Sequence, residues 1–188
     1  DLGYTVQMGS GATLASKCGI DVICDFRQQD VALGGQGAPL VPLCERDLFP
    51  QYDAFLNIGG FANASIRKSN SSTPTIHAFD VCAANLVLNR YAAQLGFAFD
   101  NHGELARSGK INENLLSGLI AITELDLSKQ NMSLGIEWLE MRVIPVVENW
   151  LLEEINRTSL ENSIKTLLAT YCEFIALQCG KVFTHGVV

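Results

Sequence analysis

The sequence lacks the patterns by which several common classes of protein are recognised. Its six cysteines include no Cys-x-x-Cys pair, so neither a zinc site nor a disulfide framework is predicted. No run of basic residues is longer than Arg67-Lys68, and the net charge of −7 argues against a nucleic acid or an anionic membrane as the main partner. The apolar runs are too short to span a membrane, and no secretory signal opens the chain. We therefore expect a cytoplasmic protein.

Metal-binding and catalytic patterns built on histidine or cysteine are absent as well. His77, His102 and His185 are far apart and have different flanking residues, so they predict neither a metal site nor a catalytic triad. The cysteines lie in apolar segments, where free cysteine behaves as a small hydrophobic residue. We expect buried free thiols at all six positions, which are Cys18, Cys24, Cys44, Cys82, Cys172 and Cys179.

The chain does have the composition of a packed domain. Of its 188 residues, 48% are hydrophobic and 18% are charged, as in domains that bury a core. The chain begins at Asp1 without a methionine and stops at Val188 inside an apolar run. We interpret these ends as those of a piece of a longer protein.

Short strands and helices are predicted in the first fifty residues. Apolar runs at 4–8 and 21–26 predict strands, and residues 12–17 between them predict a helix that ends at Gly19. The glycine-rich stretch 33–39 favours a loop, after which a short helix is expected. Strand and helix in this order indicate an α/β fold.

A β-hairpin is the clearest prediction further along the chain. The runs 53–58 and 61–66 are strand-like and are joined by Gly59-Gly60, which is typical of a hairpin turn. The elements expected next are a turn at 69–74, a third antiparallel strand at 75–79 and a helix at 83–95.

The rest of the sequence is predicted to be mainly helical. The clearest stretches are 115–122, 136–152 with a bend or break at Pro145, and 159–179 with a stop at Gly180. A last strand is expected from Val182. The apolar spacing of the 159–179 helix predicts that it buries Leu168, Phe174 and Ile175.

Asp30 is the first candidate for chemistry, because it stands three residues after Arg27 and just ahead of the glycine loop. A carboxylate beside backbone that carries few side chains can meet a ligand and act as a general base. The alternative is a structural role, in which Asp30 caps the following turn or pairs with Arg27.

Backbone amides are the second candidate. Gly34-Gly35-Gln36-Gly37 and Gly59-Gly60 offer N–H groups that can cradle phosphate or sugar oxygens. Neither matches the Walker A or the dinucleotide-binding pattern, and each is alternatively only a turn. Asp80, after the third strand, is either a helix cap or a carboxylate in a cleft.

Three segments together resemble a known family. Residues 25–42 read D-F-R-Q-Q-D-V-A-L-G-G-Q-G-A-P-L-V-P, which resembles the D-F-R-x-x-D-x-A-x-G-G-Q-G-A-P-L-V-P signature of anhydro-N-acetylmuramic acid kinases. Residues 56–63 read L-N-I-G-G-F-A-N and are similar to the family's L-N-I-G-G-I-A-N hairpin. Residues 133–138 read S-L-G-I-E-W and are similar to a helical segment of some members. The resemblance spans roughly residues 5–180.

The resemblance implies a fold and a reaction. Members are actin-like, ribonuclease-H-like kinases in which a mixed sheet is flanked by helices and two lobes close over ATP and sugar. Residues 1–50 would end the first lobe, and 51–188 would begin the second, with a helical insertion at about 97–158. The reaction uses ATP and water to convert 1,6-anhydro-N-acetylmuramic acid to N-acetylmuramic acid 6-phosphate in cell-wall recycling.

The resemblance also implies roles for individual residues. The aspartate that matches Asp30 is the family's general base, which activates water. ATP and Mg²⁺ are the implied cofactors, and the amino sugar and ATP are the implied binding partners. For the oligomeric state, a homodimer is one of the alternatives that stay open. The implied substrate-binding residues are Arg27, Gly34, Gly35, Gln36 and Gly37, and those facing the ATP phosphates are Asn57, Gly59, Gly60 and Asp80, with no metal ligand among them.

One turn departs from the family pattern. Where most members read D-T-G-P-G-N, residues 80–85 read D-V-C-A-A-N, so the glycines that allow close approach of a ligand are missing. The alternative to a working kinase is therefore a degenerate member that binds a sugar or nucleotide without turnover. The family's N-terminal phosphate loop and its C-terminal adenosine segment fall outside the sequence, so the chain alone is expected to be inactive.

Overall fold

The computed structural model of the chain describes residues 9–35, 37, 40–68, 75–127 and 134–185. These residues form helices and a three-stranded antiparallel sheet, which confirms a mixed α/β protein. The chain divides into two compact units, Asp1–Gln51 and Tyr52–Val188. The predicted strand at 4–8 and the predicted turn at 69–74 lie outside the described residues.

The first unit contains three short helices: α1 (Gly11–Cys18), α2 (Phe26–Ala32) and α3 (Val41–Leu48). The α1 helix begins where Ser10 Oγ accepts from the Thr13 amide at 3.2 Å, and it ends at Gly19, whose φ of 67° closes the last turn. Both predicted helices of this unit are thereby confirmed. Apart from Gly37, none of the described residues from 9 to 51 is buried.

The predicted strand at 21–26 is wrong. Residues 21–25 have no regular structure, and α2 begins directly at Phe26. Asp25 adopts a φ of 65°, a left-handed conformation that aspartate tolerates better than most residues and that ends any extended run. A short apolar run does not distinguish a strand from the approach to a helix.

The second unit begins with the predicted hairpin and third strand. The sheet contains β1 (Ala54–Ile58), β2 (Phe61–Lys68) and β3 (Thr75–Ala83) in the order β1-β2-β3. The β3 strand continues beyond the predicted end at 79. Val81 has no partner where the register passes from Cys82 to Asp80, so it forms a β-bulge.

Helices follow the sheet, and the predicted helical stretches are confirmed with shifted bounds. They are α4 (Asn85–Ala92), α5 (Glu104–Ser108), α6 (Glu113–Leu127), α7 (Ile136–Trp138), α8 (Ile144–Ile155) and α9 (Leu160–His185), with 3₁₀ turns at Ala93–Leu95 and Asn101–Gly103. A π-helical turn, Leu139–Val143, joins α7 to α8. Pro145 follows this turn and has no amide to donate, so the predicted irregularity falls immediately before the proline.

The end of α9 differs from the prediction. The helix passes through Gly180 to His185, so the predicted stop at Gly180 is wrong, and the strand expected from Val182 is wrong for the described residues 182–185. Glycine inside a helix costs only about 1 kcal/mol relative to alanine, which the burial of the helix outweighs. The predicted burial of Leu168, Phe174 and Ile175 is confirmed.

The core of the second unit lies between one face of the sheet and the helices. Ala62 and Ala64 of β2 face it, and Tyr171 of α9 donates its hydroxyl to the carbonyl of Ala83 at 3.2 Å. All six cysteines are free, as predicted, but only Cys82 and Cys179 are buried, so the expectation of six buried thiols is wrong. Among the helices that the structure describes, none combines the length and hydropathy that a membrane span requires.

Candidate active site

Asp30 lies in the last turn of α2, where the chain folds back over it. The Asp30 carbonyl accepts from the Gly35 amide at 2.8 Å, and the carboxylate accepts from the Gly37 amide at 2.7 Å through Oδ2. No described residue donates to Oδ1. The turn therefore holds the carboxylate by one oxygen and leaves the other for a further partner.

The glycines of this loop are required by space and by backbone conformation. A Cβ on Gly35 would overlap the Asp30 carboxylate. Gly37 is buried, has a φ of 71°, and a Cβ there would lie 2.7 Å from Cγ of Arg27 and 2.9 Å from Cγ2 of Val31. Gly34 has a φ of 91°, a backbone conformation that residues other than glycine rarely adopt.

The structure separates the two structural alternatives for Asp30. The turn-capping contact is present as the Gly37 amide bond. An ion pair with Arg27 does not occur among the described residues; the Arg27 stem packs against Gly37 instead. Gln36, the remaining predicted sugar-binding residue, lies outside the described residues.

The Gly59-Gly60 turn of the second unit packs on the start of α4. The Gly60 carbonyl accepts from the Ala84 amide at 2.8 Å, and the Gly59 carbonyl accepts from the Asn85 amide at 3.1 Å. The Asn85 side chain donates to the Ile58 carbonyl at 3.2 Å. The predicted turn at Gly59-Gly60 is therefore present, but neither glycine has a positive φ, so it lacks the left-handed conformations of the common two-residue hairpin turns.

A row of polar side chains crosses the sheet beside this turn. Asn57 of β1 lies opposite Asn63 of β2, which lies opposite Asp80 of β3. Residues directly opposite in a sheet share a face. Asn63 lies between the buried Ala62 and Ala64, so the row is on the face away from the core.

Two contacts order this row. Asn57 Nδ2 approaches Asn63 Oδ1 at 3.5 Å, and Asp80 Oδ2 accepts from the Leu134 amide at 2.7 Å. Leu134 is buried. The Asp80 carboxylate thus anchors the chain just before α7. It also gives the row one negatively charged side chain beside the two amide side chains.

The middle of the segment 80–85 is buried in the protein interior, whereas Asp80 and Asn85 at its ends are only partly buried. Cys82, Ala83 and Ala84 are fully buried. Burial raises the pKa of Cys82 to about 12, so this thiol is protonated at neutral pH and is not a nucleophile. The residues that replace the family's glycines therefore pack against the core, and the polar side chains at the two ends of the segment, Asp80 and Asn85, contact Leu134 and the turn.

The predicted residues thus fall into two groups. Asp30, Arg27 and the loop glycines lie in the first unit, whereas Asn57, Gly59, Gly60 and Asp80 lie in the second. Sequence reasoning missed two further residues of the second group, Asn63 and Asn85. The hairpin register could have placed Asn63 opposite Asn57, but nothing local indicates the contact of Asn85 with Ile58.

Comparisons with known proteins agree with the sequence resemblance. The chain matches a family model described as "Anhydro-N-acetylmuramic acid kinase" over residues 1–185. It is 34% identical over 193 residues to a protein of that name from Vibrio parahaemolyticus and 36% identical over 195 residues to one from Shewanella denitrificans. These matches cover 99% of this chain and 49% and 50% of the two relatives. The chain spans about half the length of the curated relatives it matches.

Proposed function

Because the chain belongs to the anhydro-N-acetylmuramic acid kinase family, we propose that it is the central part of a kinase that phosphorylates 1,6-anhydro-N-acetylmuramic acid with ATP. The product is N-acetylmuramic acid 6-phosphate, and the whole reaction belongs to a parent protein that is longer than this chain. The ribonuclease-H-like fold, the two kinase lobes and a cytoplasmic location are parts of the same proposal.

The observation that carries the proposal is the arrangement around Asp30. Its Oδ2 accepts from the Gly37 amide, which fixes the orientation of the carboxylate while Oδ1 has no described donor. A base held by one oxygen and open at the other is suited to take a proton from water. Arg27 and the loop glycines would contact the sugar from the surrounding backbone.

The proposed reaction involves both atoms of the anhydro bond, the anomeric carbon and the bridging oxygen. Asp30 takes a proton from water, the water oxygen attacks the anomeric carbon, and the bond from that carbon to the bridging oxygen breaks. The released oxygen, which remains on carbon 6 of the sugar, attacks the γ-phosphorus of ATP, and ADP leaves. Such phosphoryl transfer depends mainly on positioning and charge stabilisation.

The polar row of the second unit is suited to the phosphate end of ATP. The Asn57 side chain and the Gly60 amide can donate N–H groups to phosphate oxygens, whereas the predicted Gly59 amide already donates to the Phe61 carbonyl at 3.1 Å. Asp80 repels phosphate unless a cation lies between them, so, in contrast to the sequence-based expectation of no metal ligand, we propose that Asp80 would contact Mg²⁺. Magnesium bound with a nucleotide is usually held by one or two carboxylates together with phosphates and water.

The alternative of a member without turnover is weakened by the burial of residues 82–84. These side chains face the core, so their difference from the family pattern changes packing and leaves Asp80 and Asn85 in place. The altered turn thus gives no specific support to a loss of catalysis.

The direct test is the substrate requirement of the parent protein. We expect ATP-dependent phosphorylation of the 1,6-anhydro sugar and little of N-acetylmuramic acid, because the accepting oxygen is generated by the water attack that Asp30 assists. Equal rates on the two sugars would refute the coupled mechanism, and no phosphorylation of either would refute the kinase. The 188-residue chain alone is predicted to be inactive.

A further inference from the structure

The N-terminus of α4 donates to the three successive carbonyls of the Gly59-Gly60 turn. The Asn85 side chain donates to Ile58 at 3.2 Å, and the Asn85 amide donates to Gly59 at 3.1 Å. The amides of Ala84 and Leu86 both donate to the Gly60 carbonyl, at 2.8 and 3.3 Å. Asn85 therefore holds this turn by both its backbone and its side chain.

These bonds determine where the Gly60 amide points. In a trans peptide unit the C=O and the N–H point in opposite directions. Since the Gly59 carbonyl points at the α4 N-terminus, the N–H of Gly60 in the same peptide unit points away from it. No described residue accepts a hydrogen bond from the Gly60 amide.

Space at Gly60 keeps the turn close to the helix. A Cβ at Gly60 would lie 3.1 Å from Cγ of Leu86. The backbone at Gly60 therefore approaches α4 so closely that a residue with a side chain would crowd Leu86. The turn is thereby clamped to the first residues of α4, while the Gly60 amide has no acceptor among the residues that the structure describes.

We propose that Asn85 is a positioning residue for nucleotide binding, which acts by holding the Gly59-Gly60 turn so that the Gly60 amide is directed at a phosphate group. This inference rests on the proposed function, because it assumes that the turn faces ATP. Asn85 need not touch the nucleotide itself.

Two substitutions of Asn85 in the parent protein separate positioning from stability. Asn85→Asp keeps the shape of the side chain but replaces the donor to Ile58 with an acceptor. An acid in the first turn of α4, where none exists now, interacts favourably with the helix dipole and offsets the lost hydrogen bond, so the melting temperature should change little. Asn85→Ala removes the donor without adding charge. Asn89→Asp, on the exposed side of the same helix, is the matched charge control.

The measurement is titration calorimetry with ATP, ADP and adenosine. We expect both Asn85 variants to bind ATP and ADP roughly three- to tenfold more weakly, the size of effect that one lost hydrogen bond produces. Adenosine, which has no phosphate, should bind as it does to the wild type. The KM for ATP should rise while the KM for the sugar stays unchanged.

The outcomes are distinguishable. Weakening by Asn85→Asp alone would indicate charge repulsion and overturn the inference, as would equal losses for adenosine and ADP or unchanged binding in both variants. If the wild-type parent protein itself bound ATP no better than adenosine, the proposed function would fail before Asn85 is considered.

Discussion

At the level of single residues, Gly35 and Gly37 enclose Asp30 so closely that one added methyl group disturbs it. We expect Gly37→Ala in the parent protein to lower turnover roughly tenfold to a hundredfold, the loss typical of a displaced catalytic group. The added Cβ would contact Arg27 and Val31 at 2.7 and 2.9 Å and push the Gly37 amide off Asp30. Steady-state kinetics with the sugar at saturation measures this effect.

Gly19→Ala is the matched control for that substitution. Gly19 has nearly the same φ, 67° against 71° for Gly37, and a Cβ there meets nothing within 4 Å. It should therefore lose about 1 kcal/mol of stability from backbone strain and keep its turnover. Equal turnover in the two variants would show that Gly37 matters only for its conformation.

Cys82 predicts a pH dependence of stability. Burial raises its pKa from 9.0 to about 12, so the folded state keeps a proton that the unfolded chain releases. This contribution is fully present below about pH 9 and is lost as the pH rises towards 12, at up to about 1.4 kcal/mol per pH unit. Urea unfolding of the wild type should show this alkaline loss, and Cys82→Ala should show a shallower one. This account would be contradicted if the free energy of unfolding of Cys82→Ala fell with pH as steeply as that of the wild type. It would also be contradicted if the exposed control, Cys18→Ala, reduced the alkaline loss as much as Cys82→Ala does.

At the level of elements, replacing glycine by alanine is predicted to have opposite effects on stability at two positions, one within α9 and one packed against it. A Cβ at Gly180 meets nothing within 4 Å, whereas a Cβ at Gly109 would overlap the Lys165 carbonyl in α9. We expect Gly180→Ala to raise the free energy of unfolding by about 0.5–1 kcal/mol through helix propensity. Gly109→Ala should lower it, because the loop before α6 would have to move off α9. Thermal unfolding of both variants checks the signs, and a destabilised Gly180→Ala would argue that α9 ends before residue 180.

The elements that the sequence predicted correctly are those with strong local signals. Two strand-like runs joined by two glycines were enough for the β1–β2 hairpin, although the turn uses contacts with α4 rather than positive φ. The strand expected at 21–26 failed because one left-handed residue, Asp25, decides the path of the chain there. The stop expected at Gly180 failed because burial of α9 overrides the weak preference of glycine against helix.

The candidate site was predictable to a similar degree. The position of Asp30 beside a glycine loop follows from the sequence, because the residues are neighbours along the chain. The bond from Asn85 to Ile58 joins residues that are 27 positions apart, so it depends on how α4 packs on the hairpin. No local pattern contains that information.

At the level of the whole molecule, the two units differ in how much core they contain. Residues 52–188 bury a continuous cluster of apolar side chains, whereas the first unit exposes large ones such as Ile23 and Leu33, each with 82% of its surface accessible. We expect limited proteolysis of the 188-residue chain to cleave within residues 9–51 first and to leave a resistant product beginning near residue 52. Mass spectrometry of the products identifies the cleavage sites, and early cleavage within α6 or α9 would contradict this difference.

The central claim, that Asp30 is the general base of a kinase, is tested most directly by the single-turnover rate and melting temperature of Asp30→Asn in the parent protein. Asparagine keeps an oxygen that can accept from the Gly37 amide but cannot take a proton at neutral pH. We predict an unchanged melting temperature and a rate lower by roughly a hundred- to ten-thousand-fold, with Asp21→Asn unchanged in both. A rate within a few-fold of the wild type, together with a stability loss of about 1 kcal/mol, would show that Asp30 only caps its turn.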